Sequence, residues 1–201
     1  MIKKICLVCI AFLAINSHAQ EGTTSPYSFY GLGSLKFKGT TENVSMGGLS
    51  IFTDSIHVNL RNPASYAGRF IKSTGEGHIV KFAVGGSSSN TTLKTNTTSD
   101  KANATTFDYL TLSIPMGRLG MGIGLMPYTS VGYKLESISD EDVLDYRYRG
   151  QGGVNKAFLG VGYLLTKDLS VGVDASYNFG NLQNSVVNFR YDDEGNPLQY
   201  H

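Results

Sequence analysis

The chain has 201 residues, with 17 basic against 16 acidic side chains, and 24 glycines, a share well above the usual ~7%. Removing Lys3 and Lys4 with a leader leaves 15 against 16, so no basic surplus points to a nucleic-acid partner. Both cysteines, Cys6 and Cys9, stand in the first ten residues, which excludes disulfide scaffolds, thiol nucleophiles and Cys-ligated zinc from the rest of the chain.

Met1-Ile2-Lys3-Lys4 is a short basic opening, Ile5–Ile15 is apolar, and Ser17-His18-Ala19 places small residues before Gln20. This order of segments reads as a secretory signal peptide, residues 1–19, cleaved near Ala19 after Sec-type export. Eleven apolar residues fall short of the ~20 that a helix needs to span a bilayer. No later run is longer, so residence in a membrane requires strands.

Residues 20–75 are irregular, rich in Gly, Ser, Thr and Asn, with weak helix signals. The aromatics Tyr27, Phe29, Tyr30, Phe37, Tyr66 and Phe70 are too many for a disordered tail. A compact plug packed inside something larger is expected.

From residue 76 the period changes to two. Strands are expected near 78–87, 107–114, 119–135, 155–165 and 169–180. The last is the clearest: Leu169, Val171, Val173, Ala175, Tyr177 and Phe179 alternate with Ser170, Gly172, Asp174, Ser176 and Asn178. Segments near ten residues, apolar outward and small or polar inward, mark a transmembrane β-barrel. A soluble sandwich would have to bury the polar face of that strand. The stretches 88–105 and 136–153 read as long outer connections, and 115–118 and 166–168 as short periplasmic turns. The fold class expected is all-β: an antiparallel transmembrane barrel, incomplete with about five strands in 76–201, behind an irregular N-terminal hatch. Small bacterial barrels close with at least eight strands. The front part of a longer barrel, or a truncated reading frame, is therefore expected.

Several stretches carry a family resemblance. They are Ser25-Pro26-Tyr27-Ser28-Phe29-Tyr30-Gly31-Leu32-Gly33, Ser45-Met46-Gly47-Gly48, Arg61-Asn62-Pro63-Ala64-Ser65-Tyr66, the run Gly124–Tyr133, the run Tyr148–Gly153 and the run Leu169–Gly180. In this order they resemble the FadL-like outer-membrane transporters of Bacteroidetes-type bacteria. The resemblance implies a hatch-plugged barrel in the cell outer membrane and passive uptake of long-chain fatty acids or aromatic hydrocarbons. It implies that Asn62, Pro63 and Ala64 are the hatch motif, set against an inwardly kinked early strand that opens a lateral route to lipid. Asp54-Ser55 stands where the family pattern has an acid–alanine pair.

Gly120, Gly122, Gly124 and Pro127 are the candidates for the kinked strand and lateral opening. Glycine inside a strand marks a bend or a close backbone approach, and Pro127 lacks a ladder donor. Barrel curvature and a strand end near the rim are the plainer readings. Lys81, Lys156 and Asp174 are candidate lumen contacts, for a carboxylate ligand or for hatch and neighbouring strands. Asp140, Glu141 and Asp142, with Glu136 and Asp145, read as solvated carboxylates more readily than as a calcium site. No metal, cofactor or catalytic triad is expected, and the chain is not expected to be an enzyme. The partners expected are outer-membrane lipid, a hydrophobic small molecule and the barrel-assembly machinery that inserts the strands, with no nucleic acid. A secretion-associated accessory barrel without lipid transport is the alternative.

Overall fold

The computed structural model describes residues 22–51, 56–67, 79–94, 99–138, 144–192 and 198. The leader, Asp54-Ser55 and Asp140–Asp142 lie outside the described residues.

The chain is all-β. After a 3-10 turn at Pro26–Phe29 come the two-residue strand β1 (Ser34–Leu35), the short helix α1 (Thr41–Ser45) and a second 3-10 turn at Pro63–Tyr66. Five long strands follow: β2 (Lys81–Lys94), β3 (Ser99–Met116), β4 (Leu119–Ile138), β5 (Leu144–Leu164) and β6 (Ser170–Asn188). They form one antiparallel sheet in the order β2-β3-β4-β5-β6, and β1 pairs with β4.

The register explains the period of two. Phe82, Leu112, Ile123, Leu159 and Ala175 stand opposite one another across all five strands, and Val84, Leu110, Leu125, Ala157 and Tyr177 form the next row. These apolar rows share one face, and much of it stays exposed within the chain, Tyr177 at 72% and Phe82 at 65%. A sheet face of this width and composition is suited to acyl chains. Tyr177 and Phe179 stack with centroids 6.0 Å apart at the upper limit of this band.

The opposite face carries the core. Tyr109, Met126 and Phe158 point inward and close on Val58, Leu60 and Tyr66 of the hatch. Inward positions are thus not uniformly polar: the apolar ones lie where the hatch covers them. Phe29 packs edge-on against Tyr133 of β4. α1 begins where Thr40 N–H donates to Asn43 Oδ1 (3.3 Å), and Thr41 N–H donates to the Tyr109 hydroxyl (3.3 Å). One turn of helix is therefore held by the barrel wall, which explains its weak sequence signal.

Two expectations need correction. The stretches 88–105 and 136–153 are not long connections. Within them β2 and β3 pair through Asn90 opposite Asn103, and β4 and β5 pair from Glu136 opposite Arg147 onward. Only 95–98 and 139–143 separate these strands, outside the described residues. β6 likewise continues past residue 180 to Asn188. Apolar alternation reports the exposed apolar band, whereas the backbone ladder needs no apolar side chain. Above the band, polar cross-strand pairs replace apolar rows: Ser87 with Thr106 (3.0 Å) and Gln151 with Gln183 (3.2 Å).

Candidate functional site

Two features of the inner face are candidates for function: the seat that holds the hatch, and a cleft where the wall splits.

The seat is built from glycines in register. Gly120, Gly162 and Gly172 form one row across β4, β5 and β6, and Gly122, Gly160 and Asp174 form the next. A Cβ on Gly120 would lie 1.8 Å from the Tyr66 carbonyl oxygen, and one on Gly172 2.3 Å from the Ala64 nitrogen. Gly122 and Gly160 lie under the Tyr66 ring, at 2.3 Å and 2.6 Å by the same measure. The missing side chains let the hatch backbone rest directly on the wall.

Asn62, Pro63 and Ala64 enter the second 3-10 turn, which lies on this floor. The Asn62 side-chain oxygen accepts from Ala64 N–H (3.2 Å), and the Ser65 hydroxyl donates to the Asn62 carbonyl (2.6 Å). The motif faces Gly162 of β5 and Gly172 of β6, while Tyr66 covers β4. Burial pushes the Tyr66 phenol well above its ordinary value, and the Asp174 carboxylate adds to the shift. The ring therefore stays neutral. Gly124 is placed differently: it faces the Phe158 ring and the Leu110 carbonyl, not the hatch.

The three candidate lumen charges all have protein partners. Lys81 Nζ donates to the His57 carbonyl of the hatch (3.1 Å). Asp174 pairs with Lys38 of the hatch (2.5 Å). Lys156 Nζ lies 4.4 Å from the Tyr128 ring centroid. A double-mutant cycle on Lys38→Met and Asp174→Asn is expected to give a coupling of about 1–2 kcal/mol, read as the change in resistance of residues 56–67 to proteolysis.

The cleft arises where β3 leaves β4. Their ladder runs from Met116–Leu119 to Leu110–Leu125 and stops, two residues before Pro127, which has no N–H to continue it. β4 itself continues against β5 to Ile138, with a bulge that leaves Tyr128 as the extra residue. The hatch takes the place of β3 beside β4. Ser34 stands opposite Ser130 and Leu35 opposite Thr129, Lys36 N–H donates to the Tyr128 carbonyl (3.0 Å), and Gly132 N–H donates to the Ser28 hydroxyl (3.2 Å). Gly120, Gly122 and Gly124 all lie within the intact ladder, so the glycine stripe and Pro127 belong to separate features.

Two cavities of about 290 and 390 Å³ border this split, and Lys36 and Pro127 line both. The larger is walled by Thr105, Thr106, Thr129, Ser130, Gly153 and Asn155, among others. Most of its lining residues are small or carry a hydroxyl or amide, with Phe107 and Pro127 beside them, whereas Phe37, Val44, Tyr109 and Pro127 give the smaller cavity a more apolar wall. Sequence reading missed Gly160, Gly162, Gly172, Lys36 and Ser130. The glycines carried a usable signal, a Gly-x-Gly on β5 that falls opposite the one on β4 once the strands are paired.

A family model described as BamG matches residues 1–201. No curated protein and no solved structure matches the chain. The family match overturns the FadL-like resemblance and the expected uptake of fatty acids or aromatic hydrocarbons. Alternating strands, inner-face glycines and an Asn-Pro-Ala plug motif are ways of seating a plug in a barrel wall, and a fold feature of that kind does not specify a transported ligand. The chain belongs to the BamG family, which is related to the barrel-assembly machinery and associated with the outer membrane.

Proposed function

We propose that this chain is an accessory component of outer-membrane barrel assembly, holding partner polypeptides at the membrane instead of conducting small molecules. The observation that carries this reading is the BamG match across residues 1–201. Three structural features support it. The hatch rests on the wall with no room for a Cβ at Gly120 or Gly172. Lys81, Lys156 and Asp174 are engaged by hatch or wall. The larger cavity beside β4 is bordered by the hydrogen-bonding side chains of Thr105, Thr106, Thr129, Ser130 and Asn155. The proposed role needs no covalent chemistry and no cofactor. The barrel-assembly machinery is then a working partner as well as the agent of insertion.

The test is purification of the affinity-tagged full-length protein from detergent-solubilised outer membranes, together with depletion of the protein in cells. Recovery with the core barrel-assembly subunits, and reduced levels of other outer-membrane barrels on depletion, are the expected results. A chain that purifies alone, with a depletion strain whose outer-membrane barrels are unchanged, would end this reading.

A further inference from the structure

We infer that the cleft between β3 and the hatch-lined edge of β4 is a strand-addition site, where an extended segment of a barrel-assembly partner pairs with the free upper edge of β3. The inference rests on the assembly role proposed above and names how the partner is held.

Among the described residues, the ladder partner of β3 along 99–109 is β2 alone, because pairing with β4 ends at Leu110. In an antiparallel strand, alternate residues direct their N–H and C=O groups to opposite edges. Half of the backbone groups in this stretch are thus turned toward the cleft. A free strand edge is a template for pairing, and adding a strand to such an edge is a recurrent way of binding a peptide.

The opposite wall shows the mode of binding already at work. β1 of the hatch adds to the β4 edge at Ser130 and Thr129, and Lys36 N–H extends the pairing by one bond to Tyr128. Among the described residues, the chain therefore fills the β4 side of the split with an extended segment and leaves the β3 side without a paired strand.

A second observation concerns the β4 wall of the same cavity. Ser130 is 4% exposed and lines the larger cavity. Its hydroxyl is the one buried side-chain polar atom without a hydrogen-bond partner among the described residues. A buried hydroxyl left unsatisfied costs about 1–3 kcal/mol, and Gly22 packs against this side chain, so the wall of the cleft holds an unspent hydrogen-bonding group just beneath its surface.

The lining chooses a polypeptide over a lipid headgroup or glycan phosphate. Lys36 is the only cation among the residues that border the two cavities. Its Nζ already reaches Thr106 Oγ1 (3.5 Å), and Asp108 borders the smaller cavity as a carboxylate. A phosphate would meet one cation and one anion there. A main chain would meet hydroxyls and a row of peptide groups.

The test uses full-length protein in its native outer membrane, with the photoreactive residue benzoylphenylalanine placed at Thr105 in the cleft wall or at Ser185 on β6. Amide hydrogen exchange is then compared between the isolated chain and the chain purified with its assembly partners. Two results together support the inference: cross-linking from position 105, but not 185, to a polypeptide that co-purifies with the chain, and exchange of amides in 99–108 slowed at least tenfold in the complex. Amides in 110–116, already in the β3–β4 ladder, should change little. Cross-links to lipopolysaccharide alone, equal cross-linking from both positions, or unchanged exchange at 99–108 would overturn it. If the chain co-purifies with assembly subunits while position 105 gives no polypeptide cross-link, strand addition fails and the assembly role survives. If it co-purifies with none, both fail.

Discussion

Replacing Gly120 by alanine is expected to unseat the hatch, the largest effect of any single added methyl group among the described glycines. The new Cβ would lie 1.8 Å from the Tyr66 carbonyl oxygen and 2.2 Å from its carbonyl carbon. Neither atom can rotate away, because both belong to the backbone of the second 3-10 turn. Overpacking a filled site costs about 1–3 kcal/mol and sometimes more, and a backbone clash of this depth belongs at the upper end. The measurement is proteolytic cleavage within residues 56–67 of protein in outer-membrane vesicles, together with the temperature at which electrophoretic mobility shifts in detergent. Gly122→Ala provides the internal comparison. Its Cβ would meet the Tyr66 ring instead of the backbone, so pairing it with Tyr66→Leu should restore protection. The same second substitution should not rescue Gly120→Ala. Equal rescue of both would show that the row at Gly120 is not a backbone seat.

Tyr66→Ala is expected to cost about 3–5 kcal/mol of hatch docking, the range for deleting a buried aromatic ring. The ring is 3% exposed and belongs to the same cluster as Val58, Leu60, Tyr109, Met126 and Phe158. It is also what covers Gly122 and Gly160, so its loss opens a cavity against two strands at once. Tyr66→Phe keeps the ring and should retain most of the docking energy, because the neutral phenol carries no charge for Asp174 to repel. Exchange rates of amides near Leu60 and Ala67 would separate the two variants. A Tyr66→Phe variant as loose as Tyr66→Ala would mean that the hydroxyl, not the ring, holds the hatch.

The strands were legible where one face is apolar. Leu169–Phe179 alternates without a break, and the same rule located the lower parts of β2, β3 and β5 and nearly all of β4. It lost the upper parts of β2, β3, β5 and β6, since at Asn90, Asn103, Gln151 and Gln183 the strands are held by backbone pairing and polar cross-strand contacts, not by an apolar face. The plug was legible as a surplus of aromatics before residue 76, but not as structure. Its turns and single helical turn are held by distant partners, such as the Tyr109 hydroxyl at Thr41.

Function was the least legible. The plug motif and the glycine stripe suggested a transporter, and the family match corrected that suggestion to barrel assembly. Both features answer a packing problem common to plugged barrels, so neither carries information about what is bound.

Residue order alone determined the all-β class and the apolar face of each strand, because both are written in neighbouring side chains through a period of two. Tertiary structure alone decided that Gly120, Gly162 and Gly172 lie in one row, that Asp174 meets Lys38, and that the hatch replaces β3 beside β4. Those facts depend on strand register and on where a ladder ends, and hydrogen bonds between residues tens of positions apart set both.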